Sequence, residues 1–372
     1  MPGSNANQLV NPTVSASGKV DSLIIEKFNG KVHEAYQKGE NLLSFFEMNS
    51  VVGTNMISNK YMGESTLQKM TPGQEPQATP VEFDKNAFVV DTIVLARNTT
   101  HILADIQNDF ETHGRIANNQ MVKIKSLEDQ MVIQQLLLGG LTGGAYDPYA
   151  AAASRLTGGT RRLTNHGVAI KTLITAAQAA DPYRLVAALE IAVMGLIVQK
   201  VPINELKVVV PIEEYGTLVD FGFITASVGG SGLGMESSTF GGMQGTIKSL
   251  GIPIMGSTEY SQMRMKGPHS GTSHHFLSND NNSNRYDVTQ AMVDSNAIIF
   301  RKEALLVGRT IAPQGIIFWS DLVKAYYIDS WMSEGAAPDR YDNVAMIGLG
   351  GSTNTAVETK AKAKVQLTRT SA

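Results

Sequence analysis

The stretch STLQKMTPGQEPQATPVEFDKNAFVVDTIVLAR (Ser65 to Arg97) holds the reading that decides the fold. Apolar and polar residues alternate in STLQKM and again in VEFDKNAFVVDTIVLAR, with β-branched and aromatic types prominent. A period of two fits a strand and not a helix. Between the two lies TPGQEPQATP, with three prolines, a Pro-Gly turn signal and almost nothing apolar. The spacing predicts a long hairpin whose tip is Thr71, Pro72, Gly73, Gln74, Glu75, Pro76 and on to Pro80. Such an excursion has little of its own to pack on and is marginal in isolation. Something outside the chain is expected to hold it.

Upstream, Met1 to Val20 is rich in Asn, Ser, Thr, Gly and Pro and reads as an arm that orders on a neighbour. Asp21 to Met48 has apolar residues near helical spacing and reads as helical, broken near Gly30 and Gly39. Downstream, HGRIANNQMVKIKSLEDQMVIQQLLLGG (His113 to Gly140) gives the clearest helix. Ala117, Met121, Ile124, Leu127 and Met131 recur at three- and four-residue steps, and Gly139-Gly140 reads as a stop. One apolar stripe along such a helix predicts one face laid along a sheet or another subunit.

A low-order linker of Gly, Ala, Ser and Thr follows, and from Lys171 a mixed α/β region begins. Asp181-Pro182 is a cap and first-turn pair that opens an apolar helix through Lys200. ELKVVVP reads as a strand, PIEEYGTLVDFG as a short helix, and GTIKSLGIPIMGSTEY as a turn and then a strand. QMRMKGPHSGTSHHFLSNDNNSNR reads as a polar loop, and NAIIFRKEALLVGRTIAP returns to the core. KAYYIDSWMSEGAAPDRYDNVAMIGLG predicts two strands around a Gly335-to-Pro338 turn, and a tail with Lys360, Lys362, Lys364 and Arg369 closes the chain.

With 372 residues, 42% of them apolar, the chain can bury a large core. Net charge is −3 and only 17% of residues are charged, which argues against a nucleic-acid-binding surface and for a surface reserved for partners. Cysteine is absent, which excludes a disulfide framework, a thiolate metal site and a cysteine nucleophile. The first twenty residues are polar and carry no secretory leader pattern, so a cytosol-like compartment is expected. The apolar run Val186 to Val198 contains Glu190 and is too short to span a bilayer, so it reads as a buried helix and no membrane partner is expected.

The chemistry of the side chains points the same way. SVGGSGLGMESSTFGGMQG (Ser227 to Gly245) holds seven glycines in nineteen positions, yet Gly229, Gly230, Gly232 and Gly234 are not followed by a helix-opening apolar period. A dinucleotide or phosphate loop needs that context, so the run reads as backbone slack. His269, His274 and His275 lie in a Gly/Ser/Asn loop without a carboxylate at metal-ligand spacing and read as solvated. DNNSNR begins like a calcium loop, but Arg285 stands at the turn glycine and Ala291 at the bidentate acid. The Arg161-Arg162 pair and the basic tail read as solvated charges. No catalytic residue, cofactor-binding residue or metal ligand is assigned, and the chain is not expected to be an enzyme.

The order of parts resembles the major capsid protein of tailed double-stranded DNA phages, an α+β fold of the Hong Kong 97 type, nearest the short-tailed, T-seven-like phages. The resemblance implies an N-terminal arm (1–20), an N-terminal helical segment (21–48) and an extended hairpin loop (49–97). It further implies a peripheral domain (98–170) with a spine helix (113–138) and a linker, and an axial domain (171–319). Closing strands of the peripheral domain (320–348) and a tail (349–372) complete it. The tip residues Thr71 to Pro80 would lie between subunits, Ala117 to Met131 would form the spine face, and Gly229 to Gly234 would be a flexible axial loop.

Copies of the chain would then assemble as hexamers and pentamers into an icosahedral head around double-stranded DNA, without sequence-specific DNA contact. The implied partners are scaffolding and portal proteins and, as an option, a decoration protein. The implied location is the virion, and the host cytoplasm during assembly. The alternatives are an encapsulin-like compartment shell protein and, in a different class, a soluble α/β enzyme using the loop 227–245.

Overall fold

A computed structural model of the chain describes residues 42–62, 68–73, 75, 83–102, 112–146, 148, 156–157, 167–226 and 243–370. In chain order the strands and helices begin with β1 (Met48–Ser50), β2 (Met56–Met62), β3 (Phe83–Val89), β4 (Val94–His101) and α1 (Thr112–Leu141). Next come β5 (Ala145–Tyr146), β6 (Leu156–Thr157), β7 (Ile170–Ile174), α2 (Ala176–Ala179), α3 (Pro182–Val198) and β8 (Lys207–Pro211). They are followed by α4 (Ile212–Asp220), β9 (Ile224–Ala226), β10 (Met243–Ile247), β11 (Pro253–Ser257), α5 (Thr258–Lys266) and α6 (Gln290–Val293). The chain ends with β12 (Ser295–Phe300), β13 (Leu305–Ser320), β14 (Ala325–Pro338), β15 (Val344–Leu349) and α7 (Thr355–Thr370).

The chain divides into two compact units. The larger holds Glu40–Val90, Glu128–Arg309 and Gly335–Ala372; the smaller includes Asp91–Leu127 and Thr310–Glu334.

The larger unit is built on a seven-stranded sheet in the order β7-β15-β12-β8-β11-β10-β9. Its inner strands read as continuous apolar runs because both faces are covered: every residue of β12, and Val208 to Pro211 of β8, is buried. α3 covers one face. Asp181 caps it by accepting from the Tyr183 amide, and Pro182 at the first turn lacks the N–H that would go unpaired there. From Leu185 to Val193 every α3 residue is buried, against Ile170, Val208, Ile299, Ala345 and Ile347 among others. Each fully buried Leu or Ile adds about 1.5–3 kcal/mol relative to exposure. At Gly195 an added Cβ would lie 3.1 Å from Ile170 Cγ1, so the glycine lets helix and sheet approach closely.

The opposite face takes the C-terminal half of α1. Met346 points there, since its neighbours Ala345 and Ile347 face α3 and side chains alternate along a strand. A Cβ on Gly140 would sit 2.7 Å from Met346 Cβ, and one on Gly139 would sit 3.3 Å from Pro338 Cβ. The glycine pair therefore does not stop the helix, which continues to Leu141. It permits close contact with two strands. In the same half, Met131 to Leu137 are buried all round, so the single apolar stripe expected from the spacing is not what forms. Gln134 and Gln135 lie inside, and Gln135 donates to the Arg285 carbonyl.

The smaller unit pairs β4 antiparallel with β14, from Val94↔Met332 to His101↔Ala325, with β13 along the other side of β14. The first half of α1 is pinned to this sheet by Gln120. Its side chain donates to Asn98 Oδ1 (2.7 Å) and the Ile328 carbonyl (2.9 Å) and accepts from Ser330 Oγ (2.8 Å).

Several expected elements form elsewhere. The ascending strand of the hairpin is Met56–Met62; of STLQKM, residues 65–67 lie outside the described residues and 68–70 form no strand, while VEFDKNAFVVDTIVLAR from Phe83 onward holds two strands, β3 and β4, in different sheets. Long-range pairing of β4 with β14 draws it out of the hairpin. Of the helix expected over 21–48, residues 21–41 lie outside the described residues, Leu42–Phe45 is one 3-10 turn, and Met48–Ser50 is strand β1, parallel to Val307–Arg309. Gly335 to Pro338 is not a turn: β14 runs straight through it, and the bend falls at Tyr341–Asn343. β15 then joins the seven-stranded sheet between β7 and β12. The linker contributes the short β5–β6 pair.

Candidate assembly surface

The β2–β3 hairpin is an antiparallel ladder from Met56↔Val89 to Met62↔Phe83. Alternation sorts its side chains into two faces. Ile57, Asn59, Tyr61, Asn86 and Phe88 turn toward the rest of the larger unit. Met56, Ser58, Lys60, Met62, Phe83, Lys85 and Ala87 turn outward and are exposed. The inner face is anchored. Asn59 donates to Asp339 Oδ2 (2.9 Å), and Asn86 donates to the Pro338 carbonyl (2.8 Å) and to Asp339 Oδ1 (3.3 Å). Phe88 packs with Val51, Val90 and Ala337. The inner face of the hairpin is thus held by its own chain, while on its outer face Met62 is 65% and Phe83 76% exposed. Burial pushes the Asp339 carboxyl above its usual value, against the hydrogen bond from Asn59 and the charge of Arg340, which act to lower it.

The loop from Gly267 to Thr289 is ordered by its own polar groups: His274 is exposed, as the solvated reading expects, whereas His269 is half-buried and His275 is buried. The loop does not begin at Gln262, because Thr258–Lys266 is the helix α5, capped by Ser257. His269 closes the loop on Val288: its amide donates to the Val288 carbonyl and its Nδ1 accepts from the Val288 amide, both at 2.9 Å. Asp287 accepts from the His275 amide (2.9 Å) and pairs with His274 Nδ1 (2.6 Å). His275 is buried, with Nδ1 accepting from the Leu277 amide. Burial first, then the neighbouring charge of His269, pushes its pKa down to about 4, so it is neutral at pH 7. Tyr286 Oη donates to the Ala336 carbonyl (3.0 Å) and accepts from the Ala336 amide (3.1 Å), which ties the loop to β14.

In the smaller unit, Arg97 on β4 binds Asp329 on β14 through Nε (2.8 Å) and Nη2 (2.5 Å). The Phe318 and Tyr327 rings stack 5.4 Å apart beside its guanidinium. Beyond them the β13–β14 hairpin ends in a turn where Asp321 accepts from Trp319 Nε1 (2.9 Å) and Lys324 Nζ (3.1 Å). Lys324 adopts φ +50°, the left-handed conformation of a tight turn. Leu322 stands out of this turn at 95% exposure.

The tail is the helix α7, packed on α3 with Val357 fully buried; of its basic residues Lys362 is exposed as expected, Lys360 and Lys364 are half-buried, and the Arg369 side chain lies outside those described. Lys360 and Lys364 both bind Glu190, and Arg184 Nε binds Glu358 at 2.7 Å. This explains the one acid in the apolar run of α3. It was not legible in sequence, because the partners are some 170 residues apart.

Of the site residues assigned from sequence, Thr71, Pro72, Gly73 and Glu75 are exposed at the hairpin tip, with Gly73 at φ +86° in the turn. Gln74, Pro76 and Pro80 lie outside the described residues, as do Gly229, Gly230, Gly232 and Gly234. Along α1, Ile124 and Met131 are buried and Ala117, Met121 and Leu127 half-buried. Among the described residues no group of three His, Asp or Glu side chains could hold a metal, and no helix is long and apolar enough to cross a membrane.

The long helix α1, whose residues fall partly in the small strand-rich unit and partly in the larger α/β unit, and the β2–β3 hairpin of the larger unit belong to an α+β fold that matches the Hong Kong 97-type phage capsid fold. No family profile and no curated protein matches the sequence. Among solved structures, the chain is similar to the capsid of the cyanophage P-SCSP1u, with a TM-score of 0.66 and 16% identity over 88% of this chain and 93% of that one. It is similar as well to the mature capsid of bacteriophage PhiM1, with a TM-score of 0.63 and 16% identity over 92% and 97% of the two chains. A chain of Mycobacterium phage Che8 follows with a TM-score of 0.54 and 14% identity over 87% and 96%. At these identities the likeness is one of fold.

Proposed function

We propose that this chain is the main shell subunit of a tailed-phage head, assembling as hexamers and pentamers into an icosahedral particle that encloses double-stranded DNA. The observation that carries the proposal is the two-faced hairpin. Its inner face is fixed to its own chain by Asn59, Asn86 and Phe88, while Met56, Met62 and Phe83 are exposed on the other face. An exposed strand pair of this kind is an interaction site. One chain that carries both an outreaching element and the surface to receive it forms heterologous contacts, which close into rings. The likeness in fold to capsid proteins supports this reading.

The finer parts of the proposal rest on the order of elements: the short-tailed, T-seven-like grouping, the spine role of α1 and a flexible axial loop at 229–234. So do scaffolding and portal partners, an optional decoration protein, and the path from host cytoplasm to virion. The low charged fraction of 17% suits a surface taken up by neighbours, and a net charge of −3 suits a wall that does not hold DNA tightly.

Electron microscopy of the chain expressed with and without its scaffolding partner tests the proposal. Closed shells tens of nanometres across are expected. Only small oligomers under both conditions would overturn it. Deleting Thr71 to Pro80 is expected to leave a folded subunit that assembles poorly or not at all, and normal shells from that deletion would refute the interlocking role of the hairpin.

A further inference from the structure

We infer that the loop from Gly267 to Thr289 is a proton-operated latch on the β2–β3 hairpin, with His275 as the group that takes the proton. The inference rests on the shell-subunit reading for its biological setting but not for its chemistry.

Both nitrogens of the buried His275 ring are committed to the neutral form. The Leu277 amide donates to Nδ1 at 3.3 Å, so Nδ1 carries no proton and Nε2 carries it. Nε2 is itself buried and meets no acceptor among the described residues. A second proton on Nδ1 would point at the Leu277 N–H, and the cation would have no acceptor at either nitrogen. His269 is built likewise. Its Nδ1 accepts from the Val288 amide at 2.9 Å, and its ring stands edge-on to His275 at 6.1 Å.

The groups that act on the His275 ring do not compensate a positive charge. His269 and Lys266 of α5 oppose it, and Asp287 alone favours it. Asp287 already accepts from the His275 amide through Oδ1 and faces His274 Nδ1 with Oδ2. The Tyr286 ring lies 6.1 Å away, with its hydroxyl engaged on β14. Burial and these charges put the pKa at about 4, against 6.5 for a free ring. An opened loop therefore binds a proton that the closed loop refuses, and acid drives opening. Protonation of His274 strengthens its pair with Asp287 and pulls the other way, but at an exposed position where such a pair contributes little.

Opening reaches the hairpin through β14. Tyr286 Oη holds Ala336 by both its carbonyl and its amide. A Cβ on the adjoining Gly335 would lie 3.1 Å from Tyr286 Oη and 3.1 Å from Phe88 Cε2. The loop and the inner face of the hairpin thus meet at one point of β14. The 3-10 turn Asp280–Asn282 lies against β3 as well. When the loop leaves, Phe88 loses cover on that side and β3 is held less firmly.

Hydrogen exchange of the full-length chain, read by mass spectrometry and corrected for the intrinsic pH dependence of exchange, tests the latch. Between pH 7.5 and pH 5 the opening constant of the loop is expected to rise roughly thirtyfold, as the closed and free pKa values of His275 require. Phe83–Val89 is expected to follow it. In His275→Asn, whose side-chain oxygen accepts an amide proton but does not titrate, the rise should vanish. In Tyr286→Phe, which cuts the tie to Ala336, the loop should keep its pH response and β3 should lose it. A flat loop profile in the unsubstituted chain would overturn the inference, and so would an undiminished response in His275→Asn. A β3 that stays closed while the loop opens, or that still responds in Tyr286→Phe, would remove the coupling. The unsubstituted profile decides even where a variant does not fold. None of these readouts needs a shell, so a chain that never assembles counts against the shell-subunit reading and leaves this test intact.

Discussion

Asn59 and Asn86 stand directly opposite each other across the β2–β3 ladder, and both side-chain amides donate to the single carboxylate of Asp339. One acid at the end of β14 thereby fixes the orientation of both strands of the outreaching hairpin. The clamp is polar and part-buried, so removal of its acceptor takes from Asn59 its hydrogen bond to the carboxylate and leaves Asn86 with the Pro338 carbonyl alone.

Asp339→Ala is expected to destabilise the larger unit by about 1–3 kcal/mol, the usual cost of stranding buried donors. The loss should concentrate in the hairpin. Hydrogen exchange is the direct check: amides of Met56–Met62 and Phe83–Val89 should exchange faster than those of the seven-stranded sheet. Uniform acceleration across both would contradict the clamp.

Two glycine-to-alanine changes in helices should have opposite signs. At Gly216 in α4 an added Cβ meets nothing within 4 Å, so Gly216→Ala should stabilise by about 0.5–1 kcal/mol through helix propensity. At Gly140 the added Cβ would lie 2.7 Å from the Cβ of Met346, which is not the free end of a side chain. Gly140→Ala should therefore destabilise, by about 1–3 kcal/mol, despite the same gain in propensity. Urea midpoints of the two variants decide this; a shared sign would show that propensity, not packing, governs Gly140.

Glu190 gives α7 a pH-dependent hold on α3. Burial acts to raise its pKa, but hydrogen bonds from Lys364 and Ser249 and the charges of Lys364 and Lys360 prevail and hold it below the usual 4.5. A carboxylate depressed in the folded state contributes stability that is present above its unfolded pKa and lost as pH falls through the folded one. Proteolysis within Thr355–Thr370 should become easier as pH drops below about 4.5, the ordinary glutamate value. In Glu190→Gln that change should be muted, and an identical pH response in the two proteins would rule the pair out as its cause.

His275 works in the same direction over a higher window. Its pKa is pushed down to about 4 from 6.5 by burial and by His269, so the unfolded chain takes up a proton that the folded chain resists. Stability is full above pH 6.5 and should fall on the way to pH 4, by on the order of 2–4 kcal/mol. Titration of the His275 ring by NMR, beside that of exposed His274, checks the shift; a midpoint near 6.5 would remove the argument.

Local chemistry made much of this chain legible. Asp181-Pro182 announces α3 because a cap and a missing N–H act within one turn. The three- and four-residue steps from Ala117 to Met131 announce α1, and the alternation after Pro80 announces the descending strand of a hairpin, although its ascending strand lies at Met56–Met62. The resemblance to phage capsid proteins drew on this order of local elements, and the α+β fold agrees with it.

What the tertiary structure decided are relationships between residues far apart in the chain. β4 leaves the hairpin because Arg97 meets Asp329, 232 positions away. Gly139 and Gly140 look like a stop in isolation, yet serve a helix that must approach Pro338 and Met346. His269 and His275 look solvated until Val288 and Leu277 fold back to share hydrogen bonds with their ring nitrogens. A residue's propensity and period are set by its immediate neighbours, so sequence alone determined the segments with strong local signals, α1, α3 and β8 among them. Burial, ion pairing and strand partnership depend on which distant groups share one small volume, and only the folded chain fixes that.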